Sequence, residues 1–309
     1  MKDFYAKLLS CLRSATDPTW RSASWLLKLM IPITLAVTLM QHFGVLAWIA
    51  QYLNPVFSYL GLPGSSAVIF LSGAMAGTYA GIAAMMTIPL TLRQATIIGL
   101  MIALCHALPM ECAVNKKTGS SFWKMGLIRI TMAFACALYL NKVLPEMSSS
   151  YVYMGAPADS LLADVLATWA ISQAKMAMMV FAIIYSLMVV QRMLEAYSLL
   201  SPLSSFLSPL MRIFGLPRNS AYMWLVGNVL GISYGSAVML DLKEQNLIND
   251  EEANDVNYHL IMNHSLLEDT IVLALTGISV FWIISTRVLF AMLVVWTRRI
   301  LRANQLRRA

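Results

Sequence analysis

Long apolar stretches separated by short polar segments are the main pattern of this chain. Many of the stretches approach or reach the roughly 17–25 residues with which a helix crosses a bilayer. The pattern predicts crossings at Trp25–Gln41, Ser65–Pro89, Phe122–Leu144, Trp169–Val190, Asn219–Leu240 and Gly277–Ile300. We therefore predict an all-α, polytopic membrane protein.

Four apolar segments are too short or too interrupted for a plain crossing. Phe43–Leu60 and Gln191–Gly215 are broken by polar residues and prolines, and each is predicted to be a helix near the membrane interface. The other two are predicted to be re-entrant hairpins. The first hairpin descends through Ala95–Cys105 and turns near His106–Glu111, and the second spans Val256–Thr276.

The chain contains an internal repeat. Leu53–Met85 aligns without a gap to Leu207–Met239, and the duplicated positions include a G-L-P turn and three glycines spaced four residues apart. Beyond Met85 the register shifts by four residues, and the pairs of equivalent residues are His106 and His264, Glu111 and Asp269, and Arg129 and Arg287. A shared apolar composition would not place glycines, prolines and histidines in register, so the halves are predicted to be copies of one unit.

The duplicated glycines are Gly73, Gly77 and Gly81 in the first copy and Gly227, Gly231 and Gly235 in the second. A row of small residues lets another backbone approach closely. It also permits a local break that exposes backbone groups to a ligand. These glycines are therefore predicted to be backbone hinge positions.

Composition agrees with a membrane location and not with nucleic-acid binding. Hydrophobic residues make up 59% of the chain and charged residues 12%, against about 25% charged in soluble domains. The net charge of +7 is concentrated at the two ends, as expected for cytoplasmic flanks. Lys and Arg are absent between Lys142 and Lys175, which predicts a non-cytoplasmic linker.

The distribution of charge predicts that the two copies are inverted. The first copy starts at a basic segment and ends at the linker, whereas the second starts there and ends at a basic tail. The first hairpin, flanked by Arg93, Lys116 and Lys117, is predicted to enter from the cytoplasm. The second, rooted in the acidic run Asp241–Asp255, is predicted to enter from the other side. Inverted repeats with broken or re-entrant segments at the midplane are typical of secondary transporters.

This organisation divides the chain into five parts. They are a cytoplasmic amphipathic segment at 1–24, a first repeat at 25–144, a linker at 145–168, a second repeat at 169–302 and a basic cytoplasmic tail at 303–309. The predicted location is the bacterial inner membrane, with both termini in the cytoplasm. The protein is predicted to lie in the lipid bilayer. The sequence leaves open whether it forms a homo-oligomer.

Ionisable residues inside a bilayer are costly and usually functional. The candidates for binding a substrate or ion are His106, Glu111, His264, Glu268 and Asp269, with Asn228 and Asn263 as polar neighbours. In the alternative interpretation, each histidine hydrogen-bonds its own acid and closes its hairpin, and both interpretations can hold together. Arg129 and Arg287 either clamp an anionic substrate or balance Glu111 and Asp269.

A metal site is a further alternative, which the spacing leaves open. Its candidate ligands are Cys105, His106, Glu111, His264 and Asp269. The spacing matches no closed zinc motif, and there is no H-E-x-x-H segment. No cofactor and no nucleic-acid partner are predicted. Without a nucleophile-elbow motif or a water-exposed domain, an enzyme is not predicted either.

The G-L-P turns, the glycine rows and the H-x4-E and N-H-x3-E-D segments resemble the nucleoside-recognition, or gate-domain, family of membrane proteins. That family includes the spore-maturation membrane proteins A and B and the gate segments of ferrous-iron transporters. The resemblance implies two fused gate domains and the passage of a solute, without naming the solute.

The sequence is consistent with two functions. The first is a transporter or permease that moves a small polar solute or ion through a midplane site between inverted repeats. The second is a non-transporting membrane component that senses or scaffolds during envelope or spore maturation.

Overall fold

The computed structural model describes residues 2–155 and 160–307, and the helices of its first half end at Val143. These helices are α1 (Lys2–His42), α2 (Val45–Tyr59), α3 (Ser66–Ala76), α4 (Thr78–Thr87), α5 (Leu92–Cys105), α6 (Leu108–Lys117) and α7 (Phe122–Val143). The linker follows, and its Asp159 lies outside the described residues.

The second half has the same succession of helices. They are α8 (Leu162–Ala196), α9 (Leu200–Ile213), α10 (Ala221–Val229), α11 (Ile232–Glu244), α12 (Asp250–Asn263), α13 (Leu266–Leu275) and α14 (Val280–Leu306). Within the described ranges, five segments are long and apolar enough to cross a membrane. They are Lys7–His42, Leu92–Lys117, Phe122–Val143, Leu162–Ala196 and Val280–Gln305. The predicted all-α membrane fold is confirmed.

Helix α1 is continuous through Ser24, so residues 2–24 do not form a separate helix. The predicted surface segment and the first crossing are parts of one helix, and no residue between them ends it. Pro18 and Pro32 both lie inside α1.

The glycine rows form hairpins, and the prediction that they cross as single helices was wrong. Gly77 has a φ of 105° and separates α3 from α4. A Cβ on Gly81 would lie only 3.1 Å from the Cα of Gly73, whereas residues eight apart in a helix are about 12 Å apart. Glycines permit both the reversal and the close backbone approach.

The second glycine row repeats this geometry. Gly231 has a φ of 92° between α10 and α11, and a Cβ on Gly235 would lie 2.9 Å from the Cα of Gly227. Because the arms of both hairpins have between 9 and 13 residues, each arm is about half as long as a bilayer-spanning helix.

The histidine segments, predicted to be re-entrant hairpins, are instead kinked pairs of helices that do not reverse, called broken crossings here. The first, α5–α6, is among the five segments that are long and apolar enough to cross a membrane, whereas α12–α13 shares its arrangement but is not among them. Contacts with α7 run in opposite sequence order along its length, from Arg93 with Asn141 (Nη1 to Oδ1, 2.9 Å) to Leu104 with Arg129 (O to Nε, 3.0 Å). The pair α5–α6 therefore lies antiparallel to α7 throughout. The chain kinks at Ala107, where φ is 42°, but does not reverse.

The second histidine segment lies against α14 in the same way. Arg287 contacts Met262 near the middle, and Arg298 pairs with Asp255 toward the start of α12. The kink is at Ser265, where φ is 52°. Each half therefore has one hairpin, one short helix and three longer segments, of which α12–α13 is not apolar enough to count among the five candidate spans. Relative to the prediction, the hairpin and one crossing have exchanged places in each half.

Equivalent elements of the two halves run antiparallel to each other. In the pair α1 and α8, Trp169 donates to Thr34 (Nε1 to Oγ1, 3.2 Å), while Tyr185 donates to the Leu12 carbonyl, also at 3.2 Å. The end of α6 meets α12, because Asn257 of α12 donates to Thr118, the C-cap residue of α6, at 2.7 Å. How these halves lie in a membrane stays a prediction.

The acidic run and the basic segments share one end of the molecule, which corrects the charge argument. Glu251 pairs with Arg302, and Asn254 accepts from Ser120 beyond α6. Arg93, predicted to lie with Lys116, is at the opposite end, since α5–α6 spans the molecule. The hairpin α3–α4 opens toward the Arg93 end and α10–α11 toward the acidic run, so the two hairpins still enter from opposite ends.

Candidate functional site

The helix breaks place both histidines at the centre of the molecule. His106 and His264 are the C-cap residues of α5 and α12, and both are buried. The residue after each histidine donates its backbone N–H to a hairpin. Ala107 donates to the Gly73 carbonyl at 3.1 Å, and Ser265 donates to the Gly227 carbonyl at 3.2 Å. Each broken crossing is thus tied to the hairpin of its own half.

The two imidazoles converge on one carboxylate. The Nε2 atoms of His106 and His264 lie 3.1 and 3.0 Å from Oε1 of Glu111 and 3.2 Å from each other. All three residues are buried. Each Nδ1 faces a backbone carbonyl of its own helix, Ile102 at 3.3 Å and Leu260 at 2.7 Å. In the alternative interpretation each histidine bonds the acid of its own half; His106 does so, whereas His264 reaches Glu111 of the other half.

Two buried arginines hold the two acids. Arg129 donates to Oε2 of Glu111 at 2.5 Å, and Arg287 donates to Oδ2 of Asp269 at 2.8 Å. Arg287 also donates to the His264 carbonyl at 2.5 Å. The geometry is that of the predicted charge balance, since a buried charge needs a hydrogen-bonded partner. Their alternative role, clamping an anionic substrate, stays a prediction.

Asp269 and Glu268 connect the buried centre to the first hairpin, α3–α4. Thr78 donates to Asp269 and Tyr79 donates to Glu268, both at 3.0 Å. Glu268 and Tyr79 also line a cavity of about 430 Å³ on the side of α1, together with Arg21 and Trp25. Glu268 therefore lies between this cavity and the buried centre.

Polar groups surround the second hairpin, α10–α11, and the sequence predicted only some of them. Asn228 donates to the Trp224 carbonyl at 2.8 Å, and Asn263 contacts His259 at 3.0 Å. Within the described part of the chain, several buried polar atoms here have no hydrogen-bond partner. They are Asn228 Oδ1, Ser236 Oγ, His259 Nε2, Asn263 Nδ2 and Thr270 Oγ1.

The first copy is apolar at every one of these five positions. Its equivalent residues are Ala74, Ile82, Met101, Cys105 and Cys112. Asn228 and Asn263 were found as polar neighbours of the ionisable candidates, whereas His259, Ser236 and Thr270 were missed. A comparison of the copies for differences, and not only for identities, would have found them.

Of the candidate metal ligands, the structure brings three together. His106, Glu111 and His264 offer ligand atoms within 4.8 Å of one another. Cys105 and Asp269 are both buried but are not part of this group. The duplicated glycines lie at the hairpin tips and between the hairpin arms, next to this centre.

Comparisons with known proteins found a matching family model and a similar membrane protein. Residues 23–119 match the family model described as "Gate: Nucleoside recognition". The chain is 29% identical over 293 residues to a Bacillus subtilis (strain 168) protein described as "Uncharacterized membrane protein YvoD". That match covers 92% of this chain and 91% of the relative. No solved structure matches.

The chain is therefore a membrane protein whose residues 23–119 are similar to the gate domain of the nucleoside-recognition family. This range covers most of the first half, from within α1 to just after α6. The predicted resemblance is confirmed for the first copy. A second gate domain at 169–302 stays a prediction.

Proposed function

We propose that this protein is a transporter that moves a small polar solute or ion through the centre between its two halves. One observation carries the proposal: two broken crossings and two hairpin tips meet at a single buried group of titratable side chains. Discontinuous segments that meet at the midplane between repeats of opposite orientation are how secondary transporters build their sites. A structural role alone would not require a buried cluster of this kind.

The cavity beside Glu268 suggests how a solute reaches the centre. It has a volume of about 430 Å³ and is lined by Arg21, Tyr79 and Glu268. Tyr79 follows Thr78 at the start of α4, and Thr78 contacts Asp269. A small movement of the first hairpin tip would therefore change access from the cavity to the centre.

The orientation that we propose follows the positive-inside rule. One end of the molecule carries most of the basic residues near the helix ends, among them Lys116, Lys117, Arg298, Arg299 and Arg302. Among the described residues, the opposite end has Arg93 and Lys142 near the linker. We place the basic end, with both termini, on the cytoplasmic side of a bacterial inner membrane.

A flux experiment tests the proposal. The purified protein is reconstituted in liposomes, and uptake of Co²⁺, Na⁺ and uridine is measured together with the pH of the lumen. We expect flux of at least one of these that falls to the level of empty liposomes in the double variant His106→Ala/His264→Ala. His42→Ala, at the end of α1, serves as a control that keeps flux.

Flux that persists in the double variant would contradict the proposed site. Absence of flux for every probe, together with a stable protein partner in pull-downs, would favour the non-transporting component instead.

A further inference from the structure

We propose that His106, His264 and Glu111 bind a divalent transition-metal cation, and that this cation is the solute of the proposed transporter. The assignment as solute rests on the proposed function, whereas the binding site rests on the geometry alone. The site takes one oxygen and two nitrogen ligands from both halves of the chain.

The hydrogen bonds at Nδ1 determine which imidazole nitrogens are available. The carbonyls of Ile102 and Leu260 can only accept, so the Nδ1 atoms of His106 and His264 carry the proton. In a neutral imidazole the other nitrogen is then an acceptor with a bare lone pair. Both Nε2 atoms and Oε1 of Glu111 therefore present lone pairs to one another at 3.0 to 3.2 Å.

Three acceptors that face one another repel unless a cation lies among them. An extra proton on one imidazole bridges that nitrogen to only one or two of its neighbours. A metal ion serves all three atoms at once. A point equidistant from them lies about 1.8 Å from each in their plane, so an ion slightly above this plane reaches the ~2.0–2.1 Å typical of zinc bound to histidine and carboxylate.

The groups that form hydrogen bonds with the three ligands are arranged as in known metal sites. Each ligating histidine in such sites donates its other N–H to a carbonyl or carboxylate, and the ligating carboxylate is itself hydrogen-bonded. Here the carbonyls of Ile102 and Leu260 take the first role, and Arg129 takes the second by donating to Oε2 of Glu111. Oε1 stays directed toward the histidines.

The charges around the centre favour a cation. Arg129 balances Glu111, and Arg287 balances Asp269. Glu268 adds a further carboxylate, and the hydrogen bond that it accepts comes from the neutral Tyr79. With neutral histidines, these five ionisable groups carry one excess negative charge when the acids are ionised.

The nature of the ligands selects the class of cation. Imidazole suits zinc, copper, iron and nickel, whereas magnesium and calcium prefer oxygen ligands alone. Three protein ligands leave a fourth position open, and an open position is a feature of sites that exchange a ligand. A transported ion needs such exchange, since it must be bound and then released.

Cobalt provides the direct test of the site. The protein without a histidine tag is purified in detergent, freed of metal with a chelator and titrated with Co²⁺. We expect one equivalent of Co²⁺ to give the intense visible absorption of a four-coordinate ion, and Zn²⁺ to displace it. In His106→Cys, a thiolate-to-cobalt band should appear in the near ultraviolet.

Ligand removal gives the quantitative result. His264→Ala should weaken Co²⁺ binding by more than the roughly 10–100-fold typical for losing an outer group. His42→Ala is the matched control and should bind as the unmodified protein does. A wild-type spectrum that remains that of hydrated, six-coordinate Co²⁺ would overturn the proposal even if the variants fail to fold, and so would unchanged affinity in a folded His264→Ala.

Flux measurements separate the two proposals. Tight Co²⁺ binding without Co²⁺ uptake into liposomes would leave the metal site standing and remove the ion as solute. Uptake of another solute by a protein that binds no Co²⁺ would remove the metal site and keep the transporter.

Discussion

The two halves share a scaffold but differ at the carboxylates on which it converges. Glu111 is held by Arg129 and contacts both histidines. Asp269, its equivalent, is held by Arg287 and accepts a hydrogen bond from Thr78. The side chain of Asp269 is one methylene shorter.

The comparison shows that the two halves share the framework and differ in the groups that line the centre. Arg129 and Arg287 bond equivalent acids and equivalent backbone carbonyls, Leu104 and Met262. These contacts fix the kinks in both halves alike. Of the two equivalent acids, only Glu111 contacts the histidines, and the unpaired polar groups surround only the second hairpin, so a bound solute meets different surroundings in the two halves.

The shared framework predicts the largest effect, which removal of either arginine should produce. Arg129→Met and Arg287→Met each leave a buried carboxylate without its partner. Each should lower the free energy of unfolding by about 3–5 kcal/mol. Unfolding in mixed micelles with increasing SDS measures the loss. A loss below about 1 kcal/mol in one half only would show that the two arginines do not have the same role.

The divergent carboxylates predict unequal effects on binding. Glu111→Gln removes a ligand of the proposed cation, and Co²⁺ affinity should fall by at least roughly 100-fold, beyond the range for outer groups. Asp269→Asn leaves the histidines and Glu111 in contact, so affinity should change by less than about 10-fold, below that range.

Both of these substitutions leave an arginine unpaired and should destabilise the protein similarly. The ratio of the two Co²⁺ affinities is therefore the informative quantity. Equal losses of affinity would contradict a site that uses Glu111 and not Asp269.

The sequence was sufficient to find the chemistry of the centre but not the path of the chain. His106 and His264 were found because they occupy equivalent positions of the repeat. This equivalence can be read from the sequence without knowing the fold. The choice between a hairpin and a broken crossing depends on φ at single residues and on contacts between distant segments. Both arrangements have the same lengths and the same apolar pattern.

Arg93 shows how the choice between a hairpin and a broken crossing affected the predicted topology. A hairpin places Arg93 and Lys116 at one end, and the charge argument was built on that placement. In the structure Arg93 bonds Asn141 at the far end of α7. The inverted arrangement stays a consistent prediction, because the exchange of one hairpin for one crossing leaves three long segments in each half.

The hairpin tips give a smaller predicted effect that is shared by the halves. Gly77→Ala and Gly231→Ala place a side chain at positive φ with an extended ψ, a region that is essentially restricted to glycine. A new Cβ meets no close neighbour at either position, so the cost is that of the backbone alone, about 1–3 kcal/mol.

Gly126→Ala is the matched control for the hairpin tips. Gly126 lies within α7, where a Cβ would be 3.8 Å from the sulfur of Cys112, an ordinary contact. Alanine should therefore stabilise the helix by roughly 0.5–1 kcal/mol. Unfolding in mixed micelles compares the three variants, and unchanged stability in Gly77→Ala would show that the reversal at the tip is not strained.

The smallest predicted effect concerns the cavity on the α1 side. Tyr79 bonds Glu268 there, whereas the equivalent residues of the second and first copies are Ser233 and Met110. Tyr79→Phe removes one partly buried hydrogen bond and should cost about 1 kcal/mol. Ser233→Ala, at an exposed position, should stay within roughly 0.5 kcal/mol of the unmodified protein. If solute passes by Glu268, Tyr79→Phe should also change the rate of uptake into liposomes while Ser233→Ala does not. Equal uptake by both variants would mean that this cavity is not the route.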